Sequence, residues 1–589
     1  MRQKENCHVQ ATAVEALELE LGSPGNEHTS FRPAHLAELD RREEFPEVAC
    51  RVLDDFGLAA YYVPVGAGGR LRDYTDLVQL LRAVARRDLT VAVAHGKTFL
   101  GAASVWVSGT SEQAARLGEA IISGAVVSWG LTERHHGSDL LAGELTARPE
   151  ADHWRLTGEK WLINNATRGH ALCVLARTAP EGGPRGFSLF LVDKRQLTEG
   201  TWNTLPKVPT HGVRGADISG IGFAEARVPG DSLVGEAGSG VETVLKALQL
   251  TRTACVALSL GAADTALRIG LEYARDRSLY GRRLIELPRI RRILGRTAAE
   301  RLLAEAIGVV AARSIHALTG EMSVTSAVAK ALVPELVQGA VDRIAELLGV
   351  RSFLTDEFAD GAFAKLERDH RVVSIFDGNT AVNRNALIDQ FPLLAAGHGR
   401  GRCDEEGVRQ ATHLGAPPPA FDRERLVLMS SRGCSLVQSL PHAVASVHAQ
   451  VGAGLLPPQI AALADRIGEA ADALHTELAT RQRSARSVPS SAFALAERYE
   501  LCYAAAACLR LWLNNAPSHE TSHGRHTIWR DGLWLQACLH TLANRLGHPF
   551  DEADEADEAV YDLLVEHCPE GALPTLFLPP HREASRSAS

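Results

Sequence analysis

The spacing of apolar residues changes twice along this chain, and that change restricts the possible folds more than any other feature. From His35 to about residue 124, Leu, Val and Ala recur every three or four residues, as in amphipathic helices. Short β-rich runs separated by turn residues follow between 125 and 228. From Gly240 to Leu394 the helical spacing returns in long stretches. The chain is therefore expected to be mainly α with a central β domain.

The central runs, such as AVVSWGL and GFSLFLVDK, contain no helical repeat and predict a small antiparallel barrel or sandwich. The long stretch that begins VETVLKALQL predicts a helical bundle. A Gly/Pro-rich segment then precedes a second helical domain, which contains AALADRIGEAADALHTELATRQR. The expected units are a flexible lead-in (1–30), an N-terminal helical domain (31–124), the β domain (125–235), the bundle (236–394), a linker (395–424), a C-terminal helical extension (425–575) and a disordered tail (576–589).

Composition excludes several classes of protein. The 589 residues are 45% hydrophobic with a net charge of −9, which describes a globular chain without the basic footprint of a nucleic-acid-binding protein. The ten cysteines include no CxxC pair and favour a reducing cytoplasm over a disulfide framework. The N-terminus lacks the apolar core of a signal peptide, and no run of about 18 apolar residues without charges predicts a membrane span.

Two kinds of motif carry little weight. Neither GxGxxG after a strand nor GxxxxGK[ST] is present, which removes the dinucleotide-binding and P-loop folds. His519–His523 matches HExxH, which can bind zinc when it lies on a helix. Pro517 and Gly524 leave barely one turn of poor helix formers around it. We interpret this segment as a polar loop and expect no metal site.

Five motifs occur in a fixed order along the chain. They are WGLTERHHGSD (129–139), GEKWLINN (158–165), YARDRSLYG (273–281), Arg368-Asp369 and IFDGNT (375–380). In this respect the sequence resembles the acyl-CoA dehydrogenase family over about residues 35–395. The resemblance implies a helical domain, a β-barrel or sandwich and a four-helix bundle, the order already indicated by periodicity. The extra C-terminal helices resemble in placement the extensions of very-long-chain acyl-CoA dehydrogenases and acyl-CoA oxidases.

The family chemistry requires one oriented carboxylate. It removes the weakly acidic α-proton of an acyl thioester while the β-hydrogen leaves as hydride to N5 of FAD. The resemblance places Asp377 in that role, where the family has Glu. Thr251 occupies a second family position for the base and cannot serve. The alternative interpretation is that Asp377 opens an Asp-Gly-Asn turn, and its shorter side chain could also slow or change the reaction.

The resemblance also assigns binding residues. FAD contacts are implied for residues in each motif region: Trp129, Leu131, Thr132, Gly137, Ser138, Leu162, Asn164, Arg277, Tyr280 and Asn379. Ser138 and Arg252 are implied to contact substrate. Leu162 replaces a Trp that shields the flavin, and Asn164 replaces a Thr that bonds N5. Arg277 and Tyr280 match residues that reach the neighbouring subunit's cofactor, although Arg277 could also be a solvated helix charge.

The expected function is FAD-dependent α,β-dehydrogenation of an acyl thioester carried by CoA or an acyl carrier protein, with electron-transfer flavoprotein as a possible acceptor. An O₂-using oxidase or monooxygenase is the alternative favoured by Leu162, and a non-catalytic member is favoured by the altered adenine-side contacts. Arg134, His135 and His136 beside the flavin suggest a more polar acyl group than a plain fatty chain, and the alternative is that they are exposed turn residues. We expect a homodimer, because a second bundle can cover the surface that pairs dimers in family tetramers. The balanced charges of the extension argue against membrane docking.

Overall fold

The computed structural model describes residues 12–23, 29–481, 488–516, 528–529, 532–549, 553–567 and 573–577. Helices form the N-terminal part, and four of the six described there begin at a side-chain cap. At the start of the helix Leu89–Ser108, for example, Asp88 accepts a hydrogen bond from the backbone N–H of Val91. The helices are α1 (Ala13–Leu21), α2 (Pro33–Arg42), α3 (Glu47–Phe56), α4 (Tyr74–Ala85), α5 (Leu89–Ser108) and α6 (Ser111–Ile122).

The expectation of a flexible lead-in over residues 1–30 is wrong for α1. Thr12 and Glu15 form a reciprocal capping box at its start. Leu17 and Leu21, one helical turn apart, are buried in the core beside α3 and α4. The mixed charge of this segment concealed a short amphipathic helix. Residues 1–11 and 24–28 lie outside the described residues.

The β domain is one sheet of eight strands among the described residues. The strands are β1 (Val127–Gly130), β2 (Thr146–Glu150), β3 (His153–Asn164), β4 (Ala171–Arg177), β5 (Phe187–Asp193), β6 (Trp202–Leu205), β7 (Ile218–Pro229) and β8 (Leu233–Val234). Their order is β6-β7-β3-β2-β4-β5-β8, with β1 paired to β4. One face of the sheet carries its own apolar core, which includes Phe190 and Ile221.

The expected all-antiparallel arrangement is wrong for two strand pairs. β1 runs parallel to β4, with Val127 opposite Ala171, and β2 is parallel to β4 where Thr146 meets Arg177. The β2–β3 hairpin lies between β1 and β4 in the chain and supplies the long connection that a parallel pair needs. Short β-rich runs predict strands, but they do not show which distant strands pair.

The helical bundle follows the sheet. Its long helices are α7 (Gly240–Ala254), α8 (Val256–Asp276), α9 (Pro288–Ala317) and α10 (Met322–Leu348). Between α8 and α9 lies a small hairpin of β9 (Ser278–Leu279) and β10 (Arg282–Arg283). Three shorter helices complete this part: α11 (Ala362–His370), α12 (Thr380–Ile388) and α13 (Phe391–Gly399). The helical, β, helical order expected from the sequence is confirmed.

The segment Gly240–Asp276 is long and apolar enough to cross a membrane, although the absence of a long uncharged apolar run predicted no span. A bent pair of segments, Pro288–Ala317 with Thr319–Phe353, also passes this test of length and composition. However, 94% of the apolar window in Gly240–Asp276 is buried inside the protein. Such burial is that of a core helix, and length with composition is weak support for a membrane span.

The C-terminal extension packs on the bundle. Its helices are α14 (Glu405–Thr412), α15 (Ser435–Gln438), α16 (Leu440–Gly452), α17 (Pro458–Ala479), α18 (Ser490–Asn515), α19 (Leu533–Arg545) and α20 (Ala553–His567). α14, α18, α19 and α20 all contact α9. The contact with α20 is so close that a Cβ on Gly295 would lie 1.9 Å from the carbonyl oxygen of Asp557. The extension therefore covers a face of the bundle.

The segment 395–424, expected to be a linker, contains α14 and packs against α9. The buried guanidinium of Arg313 donates hydrogen bonds to the carbonyl oxygens of Gln410, His413 and Ala416. These carbonyl oxygens lie in the last turn of α14 or after it, where helical N–H groups no longer reach them. Without Arg313 they would have to accept hydrogen bonds from water. Its Gly/Pro-rich composition correctly marks turns, but the contacts of a distant arginine order the segment.

The beginning of the expected disordered tail is also packed, because Leu576 and Phe577 are buried. Pro574 accepts a hydrogen bond from Arg301, which joins Arg82, Asp264 and Glu305 in a buried network. Two arginines and two carboxylates balance each other there, as buried charges require. This network connects α4, α8, α9 and the C-terminal segment. Residues 578–589 lie outside the described residues.

A second ionic cluster joins the bundle to the extension. Arg384 of α12 pairs with Glu335 of α10 and with Glu497 and Glu500 of α18. Glu500 is fully buried, and burial raises its pKa to about 7, although Arg384 acts in the opposite direction. Burial likewise raises the pKa of Glu321, which accepts hydrogen bonds from Ser435, to about 7.

These raised pKa values predict a pH-dependent stability. Between pH 4.5, the usual pKa of Glu, and pH 7, the unfolded chain loses the Glu500 proton while the folded chain keeps it. The free energy of unfolding therefore falls as the pH rises through this window. Glu500→Gln should remove about half of this decrease in the free energy of unfolding, because the raised pKa of Glu321 still contributes the other half.

Urea unfolding at pH 5 and pH 7.5 measures this difference. Glu497→Gln removes the exposed partner of the same arginine and serves as the control, with the pH dependence of the wild type. An unchanged pH dependence in Glu500→Gln would contradict the assignment.

Candidate active site

Asp377 lies in a turn of residues 376–379 that joins α11 to α12. Its backbone φ is 54°, and that of Gly378 is 89°. This left-handed conformation costs a residue with a side chain about 1–2 kcal/mol. Glycine is required at 378 for a second reason, because a Cβ there would lie 2.8 Å from Nη2 of Arg252. Local sequence and surroundings both favour this turn, since Asp and Gly tolerate the left-handed region and the bundle contacts its backbone.

Three side chains from the bundle hold the turn through its carbonyl oxygens. Nζ of Lys330, on α10, donates to the carbonyls of Val373 and Gly378 at 2.7 and 3.1 Å. Nε of Arg252, on α7, donates to the carbonyl of Asp377 at 3.1 Å. The amide of Asn383 also donates to Gly378, at 2.9 Å. These bonds offset the cost of the left-handed conformation.

The carboxylate of Asp377 is enclosed but makes no short hydrogen bond within the described chain. Its side chain is 7% exposed. Oδ1 lies 4.0 Å from Nζ of Lys97, and Oδ2 lies 3.9 Å from Sγ of Cys255, a weak donor. Its lone pairs are therefore available to a bound molecule, as a general base requires.

The neighbours of this carboxylate differ in protonation. Burial raises the pKa of the Cys255 thiol well above its usual range, and the charge of Asp377 adds to the effect, so the thiol is neutral. Burial lowers the pKa of Arg252 to about 10 and that of Lys330 to about 8. Arg252 is therefore charged at neutral pH, and Lys330 loses its charge only in mildly alkaline solution.

The structure brings Trp129 and Asp377 to the same region through Lys97. The Lys97 ammonium lies 5.7 Å from the centre of the Trp129 ring and 4.0 Å from Oδ1 of Asp377. Trp129 is buried at the sheet side, on β1. The site therefore lies where α5, the sheet and the bundle meet, and it contains three residues that the sequence singled out, Trp129, Arg252 and Asp377.

The loop after β1 is tied to β3. Thr132 donates its hydroxyl to the carbonyl of Trp161 at 2.7 Å. Lys160 pairs with Glu133 at 2.7 Å and donates to the carbonyl of Leu131 at 3.1 Å. Lys160 of this buried ion pair thus holds the carbonyl of Leu131, and the carbonyl of Trp161 holds Thr132. The motifs did not indicate the ion pair.

Leu162 and Asn164 lie on β3 where its register with β7 is irregular. Leu162 has φ 56° and is 42% exposed, which is unusual for Leu in a strand. The amide nitrogen of Asn164 donates to the carbonyl of Val93 at 3.0 Å. Its Oδ1 and Nε1 of Trp129 are buried, and neither has a hydrogen-bond partner in the described chain.

These observations test whether the residues fit a flavin. Buried polar atoms are almost always hydrogen-bonded, so the free Nε1 of Trp129 and Oδ1 of Asn164 indicate a missing polar partner. The half-exposed Leu162 side chain supplies apolar surface on the same strand as Asn164. A flat ring with polar edges, such as isoalloxazine, matches this combination of surfaces. The site fits FAD.

The other predicted cofactor residues lie in exposed segments. Gly137 and Ser138 are in the exposed loop after β1. Arg277 directly precedes the β9–β10 hairpin, and Tyr280 lies in its turn, where it is 93% exposed. Asn379 caps α12, since its Oδ1 accepts a hydrogen bond from the N–H of Val382 at 2.8 Å. The cofactor roles of these residues stay predictions, as does the contact of Ser138 with substrate.

Motif comparison missed the residues that surround Asp377: Lys97, Cys255, Lys330 and Asn383. A signal was present in the sequence for the two lysines. Each lies in an otherwise apolar helix, AHGKTFLGAA or AVAKALV, where a charge is costly unless it has a partner. The same reasoning selected Arg252, which the structure places against Asp377.

No metal site was expected, and two segments bear on that expectation. The HExxH match at 519–523 lies outside the described residues. Among those described, Cys403, Glu405 and His442 have possible ligand atoms within 4.8 Å of one another. However, Arg510 donates to Oε1 of Glu405 at 3.1 Å, so that carboxylate is already paired with a cation.

The contacts of Lys330 predict a large cost for its removal. Lys330→Met leaves the buried carbonyl of Val373 without a donor, and the free energy of unfolding should fall by about 2–3 kcal/mol. Urea unfolding near pH 7 measures the change. Lys246→Met, which removes a lysine paired with Glu242 at the surface of α7, is the control and should cost less than about 0.5 kcal/mol. Equal effects of the two substitutions would contradict the role of Lys330.

Comparisons with known proteins agree with this architecture. The chain is 28% identical to the probable acyl-CoA dehydrogenase FadE25 of Mycobacterium tuberculosis over 351 residues, 59% of this chain and 88% of that protein. It is 28% identical to the mitochondrial short-chain specific acyl-CoA dehydrogenase of Homo sapiens over 370 residues, 62% and 84% of the two chains. An acyl-CoA dehydrogenase from Bacillus anthracis, solved in complex with FAD, has a TM-score of 0.68 at 20% identity over 94% of both chains.

Family models match three consecutive parts of the chain. The acyl-CoA dehydrogenase N-terminal domain matches residues 29–125, the middle domain 128–226 and the C-terminal domain 238–391. The Bacillus anthracis structure extends the similarity in fold through the C-terminal helices. The chain therefore belongs to the acyl-CoA dehydrogenase family, and it is an FAD-dependent oxidoreductase that acts on CH–CH groups.

Proposed function

We propose that the protein dehydrogenates an acyl thioester between Cα and Cβ, with Asp377 as the base. The observation that carries this proposal is the Asp377 carboxylate itself. It is almost fully enclosed, lies 4.0 Å from Nζ of Lys97, and makes no short hydrogen bond within the described residues. A carboxylate in this state can accept a proton as soon as a substrate approaches.

The residues around Asp377 support proton removal. The α-proton of a thioester is weakly acidic, so negative charge develops on the substrate as the proton leaves. Arg252 and Lys97 place positive charge near that position in a site with little water, where electrostatic interactions are strong. Asp377 becomes neutral when it takes the proton. The bonds from Arg252 and Lys330 to its turn keep the base in place during this change.

FAD is proposed to lie against Trp129, Leu131, Thr132, Leu162 and Asn164. The unpaired Nε1 of Trp129 and Oδ1 of Asn164 would bond its polar edges. When bound, FAD supplies the acceptor for the hydride that leaves Cβ. The thioester is carried by CoA or by an acyl carrier protein, and electron-transfer flavoprotein is the proposed electron acceptor. The eight described cysteines form no disulfide, which supports the cytoplasm as the proposed location.

An oxidase reaction is the second candidate. Leu162 is 42% exposed and stands where the family resemblance places a shielding tryptophan. A smaller side chain at that position would open the flavin to O₂. Peroxide formed in air without an added electron acceptor would favour this reaction over dehydrogenation.

Removal of the base tests the main proposal. Asp377→Asn keeps the shape of the side chain but removes the proton-accepting charge. Anaerobic reduction of the flavin by an acyl thioester that the wild type oxidises should slow at least about 100-fold, with FAD still bound. Asp377→Glu retains a carboxylate and is the matched control, expected to keep far more activity than Asp377→Asn. A near wild-type rate in Asp377→Asn would show that Asp377 is not the base.

We also propose a homodimer in which Arg277 and Tyr280 reach the cofactor of the neighbouring subunit. Leu279 and Tyr280 at the hairpin, and Phe353 after α10, expose large apolar surfaces to solvent in the single chain. Burial of such surfaces against a second copy is favourable. The C-terminal helices already cover the outer face of α9, which argues for a dimer over a tetramer.

Arg277→Ala tests this arrangement. A guanidinium that binds the diphosphate of FAD contributes charged hydrogen bonds, so its loss should weaken FAD retention about 10-fold or more without separating the subunits. Flavin content after gel filtration and light scattering measure the two properties. A monomer that holds FAD tightly would contradict the proposal.

A further inference from the structure

Of the three basic residues beside Asp377, which are Lys97, Arg252 and Lys330, Lys97 alone donates no hydrogen bond within the described residues. Its side chain is 13% exposed, and Nζ lies 4.0 Å from Oδ1 of Asp377. Its other close neighbour is the face of Trp129, at 5.7 Å from the ring centre. Across the described residues, no acceptor lies within hydrogen-bonding distance of Nζ. An enclosed ammonium that makes only a long ion pair and a contact with an aromatic face gains stability from a further acceptor.

The two other basic groups of the site differ from Lys97 in this respect. Arg252 donates to the carbonyl of Asp377, and Lys330 donates to the carbonyls of Val373 and Gly378. Both are therefore occupied in holding the turn. Lys97 holds no part of the backbone, so its charge is available to a ligand.

The charges of the site do not balance. Among the described residues, Lys97, Arg252 and Lys330 are three cationic groups, and Asp377 is the one carboxylate beside them. The thiol of Cys255 adds no charge, because burial raises its pKa. A site with an excess of positive charge and little water favours an anionic ligand.

Distance limits where the anionic group of a substrate can lie. The base must approach the α-hydrogen of its substrate closely, with heavy atoms about 3 Å apart. Since Nζ of Lys97 is 4.0 Å from Oδ1 of Asp377, it lies within about 7 Å of Cα. A carboxylate at the end of an acyl chain of up to about six carbons can bond Nζ from this distance. In a longer extended chain, the terminal carboxylate would lie beyond the reach of Nζ.

We propose that the substrate is the monothioester of a short dicarboxylic acid, and that Lys97 binds its free carboxylate. This inference rests on the proposed function and specifies its substrate class. The ammonium would then lie between two carboxylates, that of the substrate and that of Asp377, and reduce their repulsion. A neutral fatty acyl chain in the same place would remove water from Lys97 and return no hydrogen bond, so it would bind poorly.

The test compares two acyl groups of equal length on the FAD-loaded full-length protein. The glutaryl group carries a free carboxylate, and the pentanoyl group is neutral. Anaerobic flavin reduction and kcat/KM with an artificial electron acceptor are measured for both, and both acyl groups are also offered on an acyl carrier protein. The wild type should prefer the glutaryl group at least 100-fold.

Variants of Lys97 separate binding from catalysis. Lys97→Met keeps the length of the side chain without the charge, so kcat/KM for glutaryl-CoA should fall at least 100-fold, mainly through KM. The same variant should lower kcat/KM for pentanoyl-CoA far less, because only the charge beside the base is lost there and no bond to the substrate. Lys97→Arg retains the charge and should retain the preference for the glutaryl group.

The outcomes distinguish this inference from the proposed function. Equal losses for both acyl groups in Lys97→Met would show that Lys97 acts on Asp377, which overturns the inference and leaves the dehydrogenase intact. Equal kcat/KM of the wild type for pentanoyl-CoA and glutaryl-CoA would also overturn the inference and leave the dehydrogenase intact. Absence of flavin reduction by every thioester, with FAD bound, would contradict the proposed function and the inference together.

Discussion

Asp377 adopts the left-handed backbone conformation, which Asp tolerates better than most residues, and the bundle holds it there. Lys330 and Arg252 donate to carbonyl oxygens of the turn, and Gly378 leaves the space that Arg252 needs. Backbone strain of this kind persists only where the surroundings fix it, and such positions concentrate at functional sites. The position of the carboxylate therefore depends on buried charges from α7 and α10, which in turn depend on the packing of the whole bundle.

The C-terminal helices affect the same bundle from outside. α14, α18, α19 and α20 pack on α9, and Arg384 joins α10 and α12 to α18. α12 begins directly after the Asp377 turn, so the extension is connected to the site through one short helix. The buried network of Arg82, Asp264, Arg301 and Glu305 ties the N-terminal helices to this assembly. Its charges need one another, because a single buried charge is costly.

Predictions from the sequence succeeded where the signal was local. Periodicity showed the helical, β, helical order, and family motifs selected Trp129, Arg252 and Asp377, which the structure brings into one region. Predictions from the sequence failed where contacts between distant parts of the chain decide the structure. α1 and α14 form in segments whose composition indicated a lead-in and a linker, because Leu17 and Leu21 pack on the core and Arg313 binds the carbonyls after α14.

The sequence by itself determined the family, the order of its domains and the identity of the candidate base, since these follow from spacing and from motifs of adjacent residues. Only the tertiary structure showed that Lys97, Cys255 and Lys330 surround Asp377. These residues lie on α5, at the end of α7 and on α10, separated by between 47 and 280 positions from Asp377 along the chain. The charge that Asp377 experiences is set by distances between side chains, and those distances exist only after the helices have packed.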